Sequence, residues 1–158
     1  MCKTIKTSLV SALIILAMAG CASTDSNAVA PKFSTPVDGK VYSGFSLTKD
    51  RLGGQGGRIH HGIDIPAPTG TPVRAAASGH VRVVGRQSGY GNIIIIDHSE
   101  DWQTRYAHLS EFFVSEGAMV SAGSTIGLVG QTGNATGPHL HFEIRDKGQP
   151  IDPEKFLY

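Results

Sequence analysis

His139 and His141 stand two residues apart in Gly137-Pro138-His139-Leu140-His141-Phe142-Glu143-Ile144-Arg145, a run that alternates as a strand does. Side chains two apart on a strand share a face. Both imidazoles therefore look one way while Leu140 and Phe142 look the other. Neutral imidazole is the commonest protein ligand for zinc, so two on one face make half of a metal site. A second set lies upstream, in Arg58-Ile59-His60-His61-Gly62-Ile63-Asp64-Ile65-Pro66. Gly62, the β-branched Ile63 and Ile65, and Pro66 oppose a helix there. In a straight strand His60 and Asp64 would lie about 13 Å apart, too far for one ion with bonds of about 2 Å. The two converge only if the chain bends, and Gly62 is where it can. The segment thus reads as a loop ending at His60 and a strand starting at Asp64. His60, Asp64 and one histidine of the later pair give a His2Asp set. Three protein ligands leave a fourth position for water, the arrangement of a catalytic zinc rather than a structural one.

His60-x-Gly62-x-Asp64-Ile65, then Ala67-Pro68-Thr69-Gly70-Thr71-Pro72-Val73, then Tyr106-Ala107-His108-Leu109-Ser110, then Gly137-Pro138-His139-Leu140-His141-Phe142 follow one another in that order. Together they resemble the lysostaphin/LytM-type zinc endopeptidases, bacterial enzymes that cut peptide bonds in peptidoglycan. The similarity runs from about Pro36 to the C-terminus. It implies that His60, Asp64 and His141 hold Zn2+, and that His108 and His139 act on the water and the scissile bond without being standing ligands. Two imidazoles and a carboxylate on zinc lower the pKa of its water towards 7 and polarise a peptide carbonyl. No His-Glu-x-x-His motif supplies a thermolysin-type base. His108 and His139 must therefore share proton transfer and oxyanion stabilisation, with their division of labour open. Family members cut either D-alanyl–diaminopimelate cross-links or glycine bridges in peptidoglycan stem peptides; a lipoprotein of the outer-membrane type favours the first by association. Some relatives have lost their ligands and activate cell-wall amidases instead, but all five positions stand here. A structural metal site would close its fourth position with another protein ligand.

The N-terminus reads as an export signal. Residues 1–20 carry Lys3 and Lys6 and then an apolar run from Leu9 to Ala19. That run is shorter than the roughly 20 residues that span a bilayer. Met18-Ala19-Gly20-Cys21 resembles a bacterial lipobox, with Met18 in place of the more usual Leu and Cys21 as the lipidated first residue. Cys2 leaves with the signal, so the mature chain keeps one cysteine and forms no internal disulfide. Ala22, where inner-membrane lipoproteins usually carry Asp, implies an outer-membrane anchor facing the periplasm. Residues 21–35 are small and polar and read as a lipidated tether; residues 36–158 read as the metallopeptidase domain. The mature chain holds 12 basic and 13 acidic residues, a formal charge of −1. That balance lacks the basic stripe of nucleic-acid binding. A monomer is expected.

Glycine makes up 20 of 158 residues, well above the usual share of about 7%. The glycines punctuate short β-rich runs, which predicts an all-β domain with tight turns. Candidate strands are 40–43, 62–65, 72–75, 79–87, 91–98, 103–109, 124–130 and 139–145. The isoleucine run from Ile93 to Ile96 reads as a central strand buried on both faces. Only 109–114 looks helix-compatible, for about one turn. Coupling of early and late ligands suits a two-sheet antiparallel sandwich, which in the resembling family is called the duplicated hybrid motif. Loops 51–58 and 130–138, just ahead of the ligands, are the candidate groove walls. Residues 131–136 carry amides and hydroxyls suited to a peptide backbone, though no single substrate-binding residue is identified. Segment 114–127 also resembles a biotinyl or lipoyl carrier hairpin, but no lysine lies between Lys49 and Lys147 to take the cofactor. Alternation puts Thr104, Tyr106 and His108 on one face. His61 points away from His60, and His80 and His98 receive no chemistry.

Overall fold

The computed structural model describes residues 32–47, 59–99 and 101–158. The signal segment, Cys21, most of the tether and the expected wall at 51–58 lie outside the described residues. Nine strands follow in order: β1 Ile63–Pro66, β2 Pro72–Arg74, β3 Gly79–Gln87, β4 Gly91–Asp97, β5 Trp102–Phe112, β6 Met119–Val120, β7 Thr125–Val129, β8 His139–Asp146 and β9 Gln149–Ile151. A 3-10 turn at Pro153–Lys155 is the only helical element among the described residues. All strand pairs are antiparallel. The main path runs β1-β8-β5-β4-β3-β6, with β7 joining β5 to β2 and β9 flanking β8.

The fold is all-β, as composition and turn spacing require. Hydrogen bonding runs through it continuously, because β5 serves two neighbours in succession. Trp102 to Ala107 pair with β8, and Leu109 to Phe112 pair with β7. This second half of β5 replaces the helical turn expected at 109–114. Leu109 is fully buried and Glu111 exposed, so pairing with β7 overrides local helix compatibility. The expected strand at 40–43 reduces to a single bridge, Ser43 to Asp64.

β4 is buried on both faces. Ile94 and Ile96 pack in the main core with Ile63, Ile65, Tyr106, Leu140, Phe142 and Ile144. Ile93 and Ile95 join Ala107 on the opposite face, flanked by Val83 and Tyr90. Each such side chain contributes about 1.5–3 kcal/mol on burial, so the sheet under the site is rigidly packed. The Tyr106 hydroxyl accepts the Ala76 N–H at 2.8 Å, which satisfies a polar group with no exposed surface. Phe33, at the far end of the stretch read as a tether, is fully buried and packs on Trp102 and His98. The folded unit thus includes it.

Candidate metal centre

Strand register brings the ligand candidates together. Asp64 stands directly opposite His141 across β1 and β8, and Pro66 opposite His139. Directly opposed residues have Cα atoms about 4.5–5.5 Å apart, so two side chains on the same face must meet. His60 arrives from the preceding turn. Gly62 permits this by lacking a side chain, since a Cβ there would lie 2.2 Å from the Phe142 carbonyl oxygen. Its role is close approach of one backbone to another rather than an unusual φ.

The three donor atoms form a nearly equilateral triangle. His60 Nε2 lies 3.1 Å from Asp64 Oδ1 and 3.1 Å from His141 Nδ1, and Asp64 Oδ1 lies 2.8 Å from His141 Nδ1. Ligands with bonds of about 2 Å to one tetrahedral ion stand about 3.3 Å apart, so a few tenths of an ångström of opening would admit a metal. These residues form the one group among the described residues able to hold a metal ion through three donors. Each histidine has its other nitrogen committed. His60 Nδ1 donates to the Gly44 carbonyl at 2.8 Å, and His141 Nε2 donates to Glu143 at 3.1 Å. A carbonyl or carboxylate only accepts, so Nε2 of His60 and Nδ1 of His141 are the nitrogens free for an ion, the arrangement expected of metal-binding histidines.

Charge follows the same geometry. Burial would raise the Asp64 pKa, but hydrogen bonds from His141 and His60 outweigh it and hold the carboxyl well below the usual carboxylate range. Burial would lower the His141 pKa; its bonds to Asp64 and Glu143 instead lift it to about 9. Burial opposes ionisation of Glu143 too, yet donors from His141, Tyr90 and Arg145 bring it down to about 2.

His139 and His108 flank the open side. His139 Nε2 lies 3.7 Å from Asp64 Oδ1, while its Nδ1 donates to the Gly137 carbonyl at 2.8 Å. His108 Nδ1 donates to the Thr132 carbonyl at 2.7 Å. The two rings are 4.7 Å apart, and His108 is 5.8 Å from His141. Both present Nε2 as the nitrogen not held by backbone. Burial, chiefly, lowers the His108 pKa, and the neighbouring imidazoles add to this.

The alternation that grouped His108 with Thr104 and Tyr106 does not hold. Thr104 and Tyr106 are fully buried, and Tyr106 packs in the main core. The pairs Ile94–Tyr106 and Asn92–Leu109 leave both Ala107 and His108 opposite Ile93, a β-bulge. His108 takes a left-handed φ of 63° there, which turns its ring out of the core and into the site. Histidine is among the residues enriched in that conformation.

Loop 130–138 leads directly into β8 and is partly occupied in bonding to the β3–β4 turn and its flanking strands. The Thr132 hydroxyl accepts the Asn92 N–H and donates to the Leu109 carbonyl, and Asn134 N–H reaches the Gly89 carbonyl. Gln131, Asn134 and Thr136 remain exposed. His61 and His80 are exposed. His98 is structural: Nδ1 donates to the Ser78 carbonyl and Nε2 meets the Thr104 hydroxyl at 2.7 Å. Sequence reasoning passed over Glu143 and Tyr90. Glu143 carried a signal, because it continues the two-residue period of His139 and His141.

The sequence pattern of peptidase family M23 matches residues 58–153. DD-carboxypeptidase/endopeptidase Mpg of Neisseria meningitidis is 54% identical over 96 residues, which cover 61% of this chain and 22% of that protein. The uncharacterised lipoprotein YgeR of Escherichia coli is 46% identical over 123 residues, covering 77% of this chain and 45% of its own. The chain therefore spans less than half the length of either relative. Among solved structures, a zinc-containing peptidase from Vibrio cholerae superposes with a TM-score of 0.69 at 38% identity, covering 77% of this chain and 39% of that one. The catalytic domain of lysostaphin from Staphylococcus simulans superposes with a TM-score of 0.61 at 35% identity, covering 75% and 89% respectively.

Proposed function

The chain belongs to peptidase family M23, and from that premise we propose that it is a zinc metalloendopeptidase cleaving peptide cross-links of bacterial peptidoglycan, D-alanyl–diaminopimelate bonds in particular. The observation that carries this reading is the convergence of His60 Nε2, Asp64 Oδ1 and His141 Nδ1 within 3.1 Å of one another. His60, Asp64 and His141 are the proposed zinc ligands. Bound zinc supplies Lewis acidity towards the scissile carbonyl and acidifies its water. His108 and His139, anchored through Nδ1, present Nε2 to that space. There one takes the proton of the attacking water and the other donates to the developing oxyanion. Exposed polar groups of loop 130–138 line the approach for an extended peptide.

Residues 1–20 as a signal, Cys21 as the lipidated residue and the stretch between Cys21 and the buried Phe33 as a tether belong to the same proposal, with the chain anchored in the cell envelope at the outer membrane. The lipoprotein name of the Escherichia coli relative supports the anchor. Replacement of Cys21 by Ser should move the protein from membranes to the soluble periplasmic fraction.

Incubation of the purified protein with isolated sacculi tests the activity. Conversion of cross-linked muropeptides to monomers, abolished by a chelator and restored by zinc, is the expected result. Zinc-loaded protein that leaves sacculi intact, and stimulates hydrolysis only when an amidase is present, would instead indicate the regulatory role.

A further inference from the structure

Glu143 has no exposed surface, lies on the same face of β8 as His139 and His141, and is held from three elements. A buried carboxylate is costly unless its oxygens are satisfied, and here both are. Oε1 accepts from the Tyr90 hydroxyl at 2.7 Å and from His141 Nε2 at 3.1 Å. Oε2 accepts from Arg145 Nε at 2.8 Å and faces Arg105 Nε at 3.8 Å. Arg105 stands directly opposite Glu143 across β5 and β8. Tyr90 follows β3 in the turn before β4, and its own carbonyl takes the His108 N–H at 2.9 Å. One carboxylate, fixed from β8, β5 and that turn, therefore bears on a single ring nitrogen of a ligand candidate.

We propose that Glu143, clamped by Tyr90 and Arg145, is the positioning residue of the metal centre: by holding the Nε2 proton of His141, it commits the Nδ1 lone pair to the ion. This inference rests on the reading of His60, Asp64 and His141 as zinc ligands. A carboxylate kept only to neutralise two arginines would leave His141 indifferent to its loss. Carboxylate partners of metal-binding histidines typically change metal affinity by about 10–100-fold when removed.

The test uses the full chain carrying Glu143→Leu, Glu143→Gln or Tyr90→Phe, with folding checked by circular dichroism. Two readouts are zinc affinity by chelator competition and the ring Nε2 proton of His141 by 1H–15N NMR in the zinc-loaded protein. Glu143→Leu should weaken zinc by about 10–100-fold and lose the slowly exchanging Nε2 proton. Glu143→Gln, whose amide oxygen accepts the same proton, should recover most of both, and Tyr90→Phe should fall between. Folded Glu143→Leu with wild-type affinity and an unchanged His141 resonance overturns the proposal. If that variant does not fold, unchanged readouts in Tyr90→Phe overturn it equally, because that substitution removes the hydroxyl that clamps the carboxylate onto His141. Wild-type protein that binds no zinc refutes the ligand reading itself, an outcome distinct from either.

Discussion

His139 and His141 share one face of β8, yet their rings are turned opposite ways. His141 directs Nδ1 at Asp64 and gives its Nε2 proton to Glu143; His139 gives its Nδ1 proton to the Gly137 carbonyl and directs Nε2 towards the site. Under the proposed assignment, this opposition is what divides ligand from catalyst. His141→Ala should therefore lose zinc and sacculus hydrolysis together. His139→Ala and His108→Ala should retain most of the zinc while turnover falls by about 10²-fold or more, the scale of a positioned acid–base group. Zinc per folded molecule decides the matter: metal lost from His139→Ala and kept by His141→Ala would reverse the assignment. The pairing of the two imidazoles on one face was legible in the alternation of 139–145. Which nitrogen each presents was not, because the acceptor for His141 is fixed by the Tyr90 and Arg145 hydrogen bonds that place Glu143. His108 shows a different gap. Strict alternation put it on one face with Thr104 and Tyr106, a face the structure buries, and the bulge opposite Ile93 turns its ring out of that face.

At the scale of elements, the site depends on two backbone devices in which β1 crosses β8 and β5 changes neighbours. Gly62 is the first. A methyl group at that position would meet the Phe142 carbonyl at 2.2 Å, so Gly62→Ala must push the turn bearing His60 away from β8. Stability should fall by about 1–3 kcal/mol, as for other overpacked positions, and zinc affinity should fall with it. Urea unfolding and chelator competition on the same preparation measure both; unchanged affinity with lowered stability would mean that His60 does not need this crossing. The need for a glycine between His60 and Asp64 was readable from the span the ion imposes. The reason for it was not, since the obstacle is a carbonyl 80 residues further along the chain. The second half of β5 escaped the sequence for a similar cause. Residues 109–112 have no strong local preference, and β7 decides their conformation.

For the molecule as a whole, composition sufficed for the all-β class, and the isoleucine run sufficed for the central strand. The N-terminal boundary needed tertiary contacts, because nothing local marks Phe33 as a core residue. It packs beside His98, which in turn supports a pH prediction. Burial lowers the His98 pKa below its usual 6.5, so the unfolded chain takes up this proton before the folded one does. The stabilisation is full above about 6.5 and is lost as pH falls towards the depressed folded value. The stability gap between wild type and His98→Gln should accordingly be wider at pH 8 than at pH 5.5. A gap independent of pH would show that the ring does not titrate with folding. A last consequence concerns time rather than affinity. Among the described residues, β1 has one full strand neighbour, β8, and on its other side the short Ser43–Asp64 bridge, with Ser46–His60 just beyond. Opening of this edge, which must also lift Ile63 and Ile65 from the core, would release His60 and Asp64 in one motion and leave His141 on β8. Exchange of zinc with a chelator should then keep pace with hydrogen exchange of the Asp64 and Ile65 amides, both far faster than global unfolding. Zinc that departs only as fast as the whole domain unfolds would mean that this edge does not open on its own.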